Sequence, residues 1–393
     1  MKRTPPRIRL NLEPLEDRIV PSAMADIQMT GATTTDARTV SVNYNITDAS
    51  LAGQTVNFNI YRSVGYESVS GAQLIGTASI PGSDSADLSV GQHQGVKLAL
   101  MGTNGQPLTA LTPNTALPFI VVVANPNGTI AESNSTNNTA SFETHVLGVV
   151  VHGLAFNLLR PTTPAWETQM AAGLRQDGYE AVIAFNWVRL SISFSPSATG
   201  IAAGQLLGQI QTQADQLAAQ HPGDVVDINF IGHSRGNVVI SETLQDLLGT
   251  SDPALRGGYM QMTMLDPHPA NNLSFQFNWL LGNDLADTLA EVVLIFQFLA
   301  HDPQVIVPPN VSHAEVFDQQ TLAGALFNYR LEILLNLWGE TAASIPNQSA
   351  QPIAERNLTN VIDPALGRIG HSEVHDWYMA HVVDTNETFT YFG

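Results

Sequence analysis

The sequence predicts two unlike folded units, an all-β unit followed by an α/β unit whose mostly parallel sheet is flanked by helices. Three observations carry this. Over residues 26–145, short runs alternate apolar and polar residues with a period of two. From residue 146 on, β-branched runs alternate with helical stretches, the pattern of βαβ units. Within that second unit, Gly232-His-Ser-Arg-Gly236 stands between a strand and a helix. A chain of 393 residues, 44% of them hydrophobic, can bury two or three cores. Its 16 basic and 35 acidic residues give a net charge of 16 − 35 = −19, which argues against nucleic acid and anionic membranes as partners. Only 13% of residues are charged, so Asn, Gln, Ser and Thr must supply the polar surface, a composition that fits an exported protein. Without cysteine there is no disulfide, thiolate nucleophile or Cys-ligated zinc. No run of 18 uncharged apolar residues occurs, and no transmembrane span is predicted.

Residues 1–25 read as a disordered leader. Lys2, Arg3, Arg7 and Arg9 are basic, but Glu13, Glu16, Asp17 and Arg18 interrupt the apolar stretch a secretory signal needs. The segment Leu12-Glu-Pro-Leu-Glu-Asp-Arg18 resembles the LEPLEDR-type N-terminal motif of planctomycete proteins. That resemblance implies export to the cell envelope or beyond.

In the all-β unit, Val40–Ile46 and Val56–Tyr61 alternate as half-buried strands, and Leu117–Val123 is a more continuously apolar strand. Gly82, Gly105 and Asn125-Pro-Asn-Gly128 mark turns between runs. Several short antiparallel strands over 26–145 predict an immunoglobulin-like sandwich. The stretch Asn125–Phe142, with Glu132-Ser-Asn-Ser-Thr-Asn-Asn138, resembles the closing strands of CARDB domains, β-sandwiches of bacterial surface proteins. The resemblance implies a spacer or binding module with a cell-surface or polymer partner. The Asn-rich turns leave two readings open, calcium ligation and polar hairpin decoration.

In the α/β unit, residues 146–393, Val149–Val151 reads as a strand buried on both faces. A helix is expected around Trp166–Gln176, a strand at Ala181–Phe185, and a long helix at about Ala203–Gln220. Strand Val225–Ile231, helix Asn237–Leu248 and strand Tyr259–Leu265 follow.

The chemistry is expected at the carboxyl ends of these strands. In the context strand–Gly232-His233-Ser234-Arg235-Gly236–helix, a sharp turn exposes Ser234 Oγ, and the flanking glycines keep side chains clear of strand and helix. His152-Gly153 follows Val149–Val151. There Gly153 permits the bend that would aim the Leu154 amide at an oxyanion, with the Arg235 amide as the second donor. Asp266 closes the strand ending at Leu265, 266 − 234 = 32 residues after Ser234, where it can orient a histidine. Two histidines compete for that place. His371 follows Gly370 in a loop, whereas His375 sits one turn into a helix whose apolar face is Val374, Trp377 and Tyr378. Loop position favours His371. Their spacing of four would also suit two metal ligands on one helix face, but no third ligand is evident. His268, His313 and His381 read as surface or loop histidines.

Together these residues resemble the lipase-like members of the α/β-hydrolase superfamily over roughly residues 146–393. The resemblance implies an α/β-hydrolase fold and a triad of Ser234, Asp266 and His371, with no metal and no cofactor. The 104 residues between Asp266 and His371 exceed what the core fold needs. A helical insertion is expected at about 270–345, including Leu285–Ala300 and Leu331–Trp338, as a lid, an acyl-chain pocket or the core of an enlarged cap. The expected function is an exported serine hydrolase, extracellular or in the cell envelope, that cleaves ester or lipid substrates. An adhesion protein with an inactive hydrolase scaffold, and an amidase or acyltransferase of the same fold, stay open as alternatives.

Overall fold

The computed structural model describes residues 24–154, 162–193, 195–269, 300–320 and 339–391. The leader expected at 1–25 therefore lies almost wholly outside the described residues. So do Leu285–Leu299 and Leu331–Trp338 of the expected insertion.

The first seven strands are β1 (Asp26–Thr34), β2 (Thr39–Thr47), β3 (Val56–Ser63), β4 (Gln73–Ile80), β5 (Gly91–Ala99), β6 (Met101–Gly102) and β7 (Phe119–Ala124). Among the described residues β1, β2 and β5 form one antiparallel sheet, while β3, β4, β6 and β7 lie at one end of a 10-stranded sheet. Ile27, Val40, Val42, Phe58, Ile60, Leu98, Ile120 and Phe142, drawn from both sheets, bury a common core. The Asn-rich turn is fixed by Glu132. Its Oε1 accepts from Asn125 Nδ2 (2.5 Å) and Asn138 Nδ2 (2.7 Å), and its Oε2 accepts from the Ile27 amide (2.9 Å). These amide contacts favour the decoration reading of the turn over calcium.

Strand β8 (Thr139–Val151) is the longest element of the sheet. Its first half, Thr139–Glu143, pairs antiparallel with β7. From Thr144 on, it pairs parallel with β10 (Val225–His233), and from Leu147 also with β9 (Ala181–Phe185). The boundary expected between residues 145 and 146 thus falls inside a single strand. Only Val149–Val151 was legible as strand, because Glu143, Thr144, His145 and Gly148 interrupt the apolar run.

Beyond β10 the parallel order continues through β11 (Met260–Leu265), β12 (His313–Asp318) and β13 (Ile353–Asn357). Helices cover both faces, and α2 (Val188–Ser191) and α5 (Pro253–Gly257) are short. On one side α3 (Ala198–Leu217) and α4 (Gly236–Leu247) pack Leu206, Ile210, Val239 and Leu244 against Val149, Val151, Ile228 and Phe230. On the other, α1 (Ala165–Gln176) and the C-terminal α6 (Val374–Tyr378) pack Met170, Leu174, Trp377 and Tyr378 against Val146, Val150, Ile231 and Phe317. The alternation of Val149 and Val150 between the two cores is the period-two geometry of a strand buried on both faces. This mixed sheet with helices on both sides fits an α/β-hydrolase-like fold.

One expectation is corrected here. Residues 313–318 fall in the stretch read as a helical insertion, yet they form β12, a strand between β11 and β13. His313-Ala-Glu-Val-Phe-Asp318 is short and carries Glu315 and Asp318, both buried. Glu315 is held inside by Thr263 Oγ1 (2.6 Å) and Gln261 Nε2 (3.1 Å), partners that local pattern cannot reveal.

Candidate active site

The turn from β10 into α4 is tight enough to place Ser234 at φ 54°, a left-handed conformation that costs a non-glycine residue about 1–2 kcal/mol. The surrounding structure holds it there. The Ser234 amide donates to Leu265 O (3.0 Å), and Ser234 O accepts from the Asn237 amide (3.1 Å) and from Asn237 Nδ2 (3.0 Å). A side chain at Gly232 would meet Asn237 and Ile240, and one at Gly236 would meet the carbonyls of Val151 and His152. Both flanking positions therefore admit only glycine.

Because β10 and β11 run in parallel register, with His233 opposite Leu265, the residues that follow them are brought side by side. These are Ser234 and Asp266, and Asp266 also has a positive φ, 44°. His371 completes the group. Its Nε2 lies 3.0 Å from Ser234 Oγ and its Nδ1 2.5 Å from Asp266 Oδ2. Asp266 is fully buried. Gln319, just past β12, donates its backbone amide to Oδ1 (3.1 Å) and its side-chain amide to Oδ2 (3.0 Å). Gly339 packs so closely on the same carboxylate that a Cβ there would collide with Oδ1.

His375 does not share this arrangement. Its Nδ1 contacts Asp376 Oδ1 (2.9 Å), and its ring stacks on Trp166 at 4.3 Å and 10°. Both ring nitrogens of His371 are engaged, by Ser234 and Asp266, whereas His375 has other partners.

Other histidines frame the site. His233 is buried, and its Nε2–H donates to the His371 carbonyl (2.8 Å), fixing the loop that carries His371. Burial, and then the neighbouring His371 and His375, hold its pKa well below the ordinary histidine value. His268, expected on the surface, is buried instead, with its ring centroid 6.0 Å from that of His371. Burial and the proximity of His371 push it down to about 3. His152 Nδ1–H donates to Gly153 O (2.7 Å), and burial pushes this imidazole down to about 4. At neutral pH these neighbours are uncharged, so they do not oppose a positive charge on His371 by repulsion.

Gly153 lies against the serine. A Cβ built on it would stand 2.6 Å from Ser234 Cβ and 3.1 Å from Ser234 Oγ. Leu154 is half-buried and packs on Ala300. Residues 155–161 lie outside the described residues.

Sequence reasoning gave Arg235 a role through its amide alone, and the side chain adds another. The buried guanidinium pairs bidentately with Asp302, from Nε to Oδ2 and from Nη2 to Oδ1, both at 2.6 Å. It also donates to Ser191 O (2.6 Å). The chain that returns at Ala300 is thereby locked to the elbow. Gln319, Gly339 and Asp302 were not identified from sequence. Gln319 and Gly339 depend on β12 and its neighbours, and Asp302 carries no local signal.

Among the described residues, the one group of three His or carboxylate side chains close enough to hold a metal ion is Glu143, His145 and Asp224, at the opposite end of β10.

No family model matches this chain, and no curated protein matches it. Among solved structures, one match is the NocB thioesterase domain, in covalent complex with a fluorophosphonate nocardicin G analogue. It shows 13% identity and a TM-score of 0.32, over 62% of this chain and 92% of that one. A protein of Agrobacterium vitis S4 described as a hydrolase matches at 14% identity and a TM-score of 0.32, over 67% and 92%. The methylesterase BT1017 matches at 10% identity and a TM-score of 0.25, over 90% of this chain and 57% of that one. Likeness at this level carries no weight for function.

Proposed function

We propose that the protein is a serine hydrolase that cleaves carboxylic esters. The observation that carries this reading is the continuous line from Ser234 Oγ through the His371 imidazole to the buried Asp266 carboxylate, at 3.0 and 2.5 Å. Ser234 attacks the ester carbonyl while His371 Nε2 takes its proton, and the resulting imidazolium is stabilised by Asp266. His371 then protonates the departing alkoxide, leaving an acyl-enzyme. Water, deprotonated by the same imidazole, attacks the acyl carbon, and the acid leaves as Ser234 regains its proton. The amides of Leu154 and Arg235 are assigned to the oxyanion, the role that most often dominates acyl-transfer catalysis. None of these steps needs a metal or cofactor. In this reading the enzyme is exported, and the all-β unit is a CARDB-like sandwich that presents it at a surface.

The test is labelling with a fluorophosphonate probe together with a chain-length series of nitrophenyl esters. Labelling at Ser234 and ester turnover, both abolished in Ser234→Ala, are expected. A protein that neither labels nor turns over esters is an inactive scaffold. Labelling with turnover of amides only, or of esters only in the presence of an acyl acceptor, moves the assignment to an amidase or an acyltransferase.

A further inference from the structure

At the amino end of the parallel sheet, two imidazoles and two carboxylates converge from elements far apart in sequence. Glu143 and His145 lie two residues apart on β8 and share a face. His221 and Asp224 lie in the turn that leads into β10. His145 Nε2 stands 3.4 Å from Asp224 Oδ2 and 4.0 Å from Glu143 Oε2. His221 Nδ1 stands 3.3 Å from the same Asp224 oxygen and 3.7 Å from the same Glu143 oxygen.

Three of the four side chains are held in place by other groups. The His145 Nδ1 side is taken by Glu180 Oε2 at 2.9 Å, and Nε2 faces Asp224 and Glu143. A carboxylate behind a ligating histidine is the usual outer partner in metal sites. Asp224 Oδ1 accepts from the Glu143 amide (2.8 Å), and Oδ2, which accepts from the His221 amide (2.9 Å), faces both imidazoles. The His221 ring stacks on Tyr66 at 4.5 Å and 18°, and its buried Nδ1 makes no hydrogen bond. The separations of 3.3–4.0 Å are long for N–H···O bonds, which cluster at about 2.7–3.2 Å. They lie near the roughly 3.3 Å that separates donors on a tetrahedral cation with bonds of about 2.0–2.1 Å.

We propose that Glu143, His145 and Asp224, with His221 at the rim, form a binding site for a divalent transition cation of the zinc type. Mixed imidazole and carboxylate donors select against calcium, which takes six to eight oxygens, and against magnesium, which prefers oxygen and water. The site is structural. It lies the length of β10 from Ser234, nine residues at about 3.3 Å each or roughly 30 Å. It ties β8 to the turn before β10 at the place where the two units meet.

The test uses the full chain, stripped with a chelator and then titrated with zinc by calorimetry, with bound metal counted by elemental analysis. One equivalent of zinc, a melting temperature raised by several degrees, and ester turnover unchanged below the melting range are expected. His221→Ala, at the half-exposed rim, should fold and bind zinc on the order of 100-fold more weakly. Glu143→Gln is a second variant with the same expected loss. The absence of stoichiometric binding overturns the site, and so does binding that survives both substitutions. Preferential binding of calcium overturns the cation class.

Discussion

Gln319 grips Asp266 at both carboxylate oxygens, with its backbone amide on Oδ1 and its side-chain amide on Oδ2. The carboxylate thus has one orientation in which to meet His371. Replacing Gln319 by Leu leaves the backbone bond and removes the other. A lost hydrogen bond to a charged group is worth about 1.5–3 kcal/mol, so kcat should fall roughly 10- to 100-fold with little change in KM. An unaltered kcat would show that Asp266 needs no such grip. Gly339→Ala, which drives a methyl into the same carboxylate, should be at least as damaging.

His371→Ala should abolish turnover to the level of Ser234→Ala, a loss on the order of 10³-fold or more. His375→Ala removes a stacking partner of Trp166 and should cost about tenfold or less. The reverse ranking would put His375 in the proton relay.

Arg235 and Asp302 are both buried. Removing one partner strands the other charge, so Asp302→Ala should destabilise the fold by about 3–5 kcal/mol in denaturant melts. The double variant Arg235→Met/Asp302→Leu should recover most of that loss. Equal destabilisation by the single and double variants would mean that the pair acts only through packing.

Glu167 is fully buried at the start of α1, and burial pushes its carboxyl up to about 9 from the ordinary 4.5. Between those values the unfolded chain releases a proton that the folded chain keeps. Its contribution to stability therefore declines as pH rises through that window and levels off above it. At pH 7 the burden is on the order of 3 kcal/mol. Glu167→Gln should raise the melting temperature, and by more at pH 8.5 than at pH 5.5. Parallel melting curves across that range would rule this out.

A chain that begins at Val146 lacks Thr144 and His145, which pair with Val225 and Val226 of β10. It should be insoluble or markedly less stable than the full chain. Limited proteolysis of the full chain should leave residues 139–151 uncut. A stable, active 146–393 fragment would show that the first half of β8 is dispensable.

Much of this architecture was legible where structure is local. Ala181–Phe185 is a strand at the residues expected, and Trp166–Gln176 lies within α1. Ser234 could be read from its turn because a small-residue elbow between an apolar strand and a helix is a short-range pattern. Asp266 stood out because Pro267 ends its strand. What escaped depends on contacts across the sheet. β12 buries Glu315 through side chains on a neighbouring strand, and Gln319 can be recognised only once β12 is known to lie beside β11. Glu143, His145, His221 and Asp224 have no common motif, since 79 residues separate His145 from Asp224.

Because β8 belongs to both halves of the molecule, it acts as a splint. Two folded bodies joined by a supple tether would sample many orientations, and gripping one would say little about where the other points. Here no tether intervenes. The peptide that closes the first core continues, hydrogen bond by hydrogen bond, into the sheet that ends at His152 and the serine turn. The first half therefore sets the bearing of Ser234, and a pull on either half is shared along one strand.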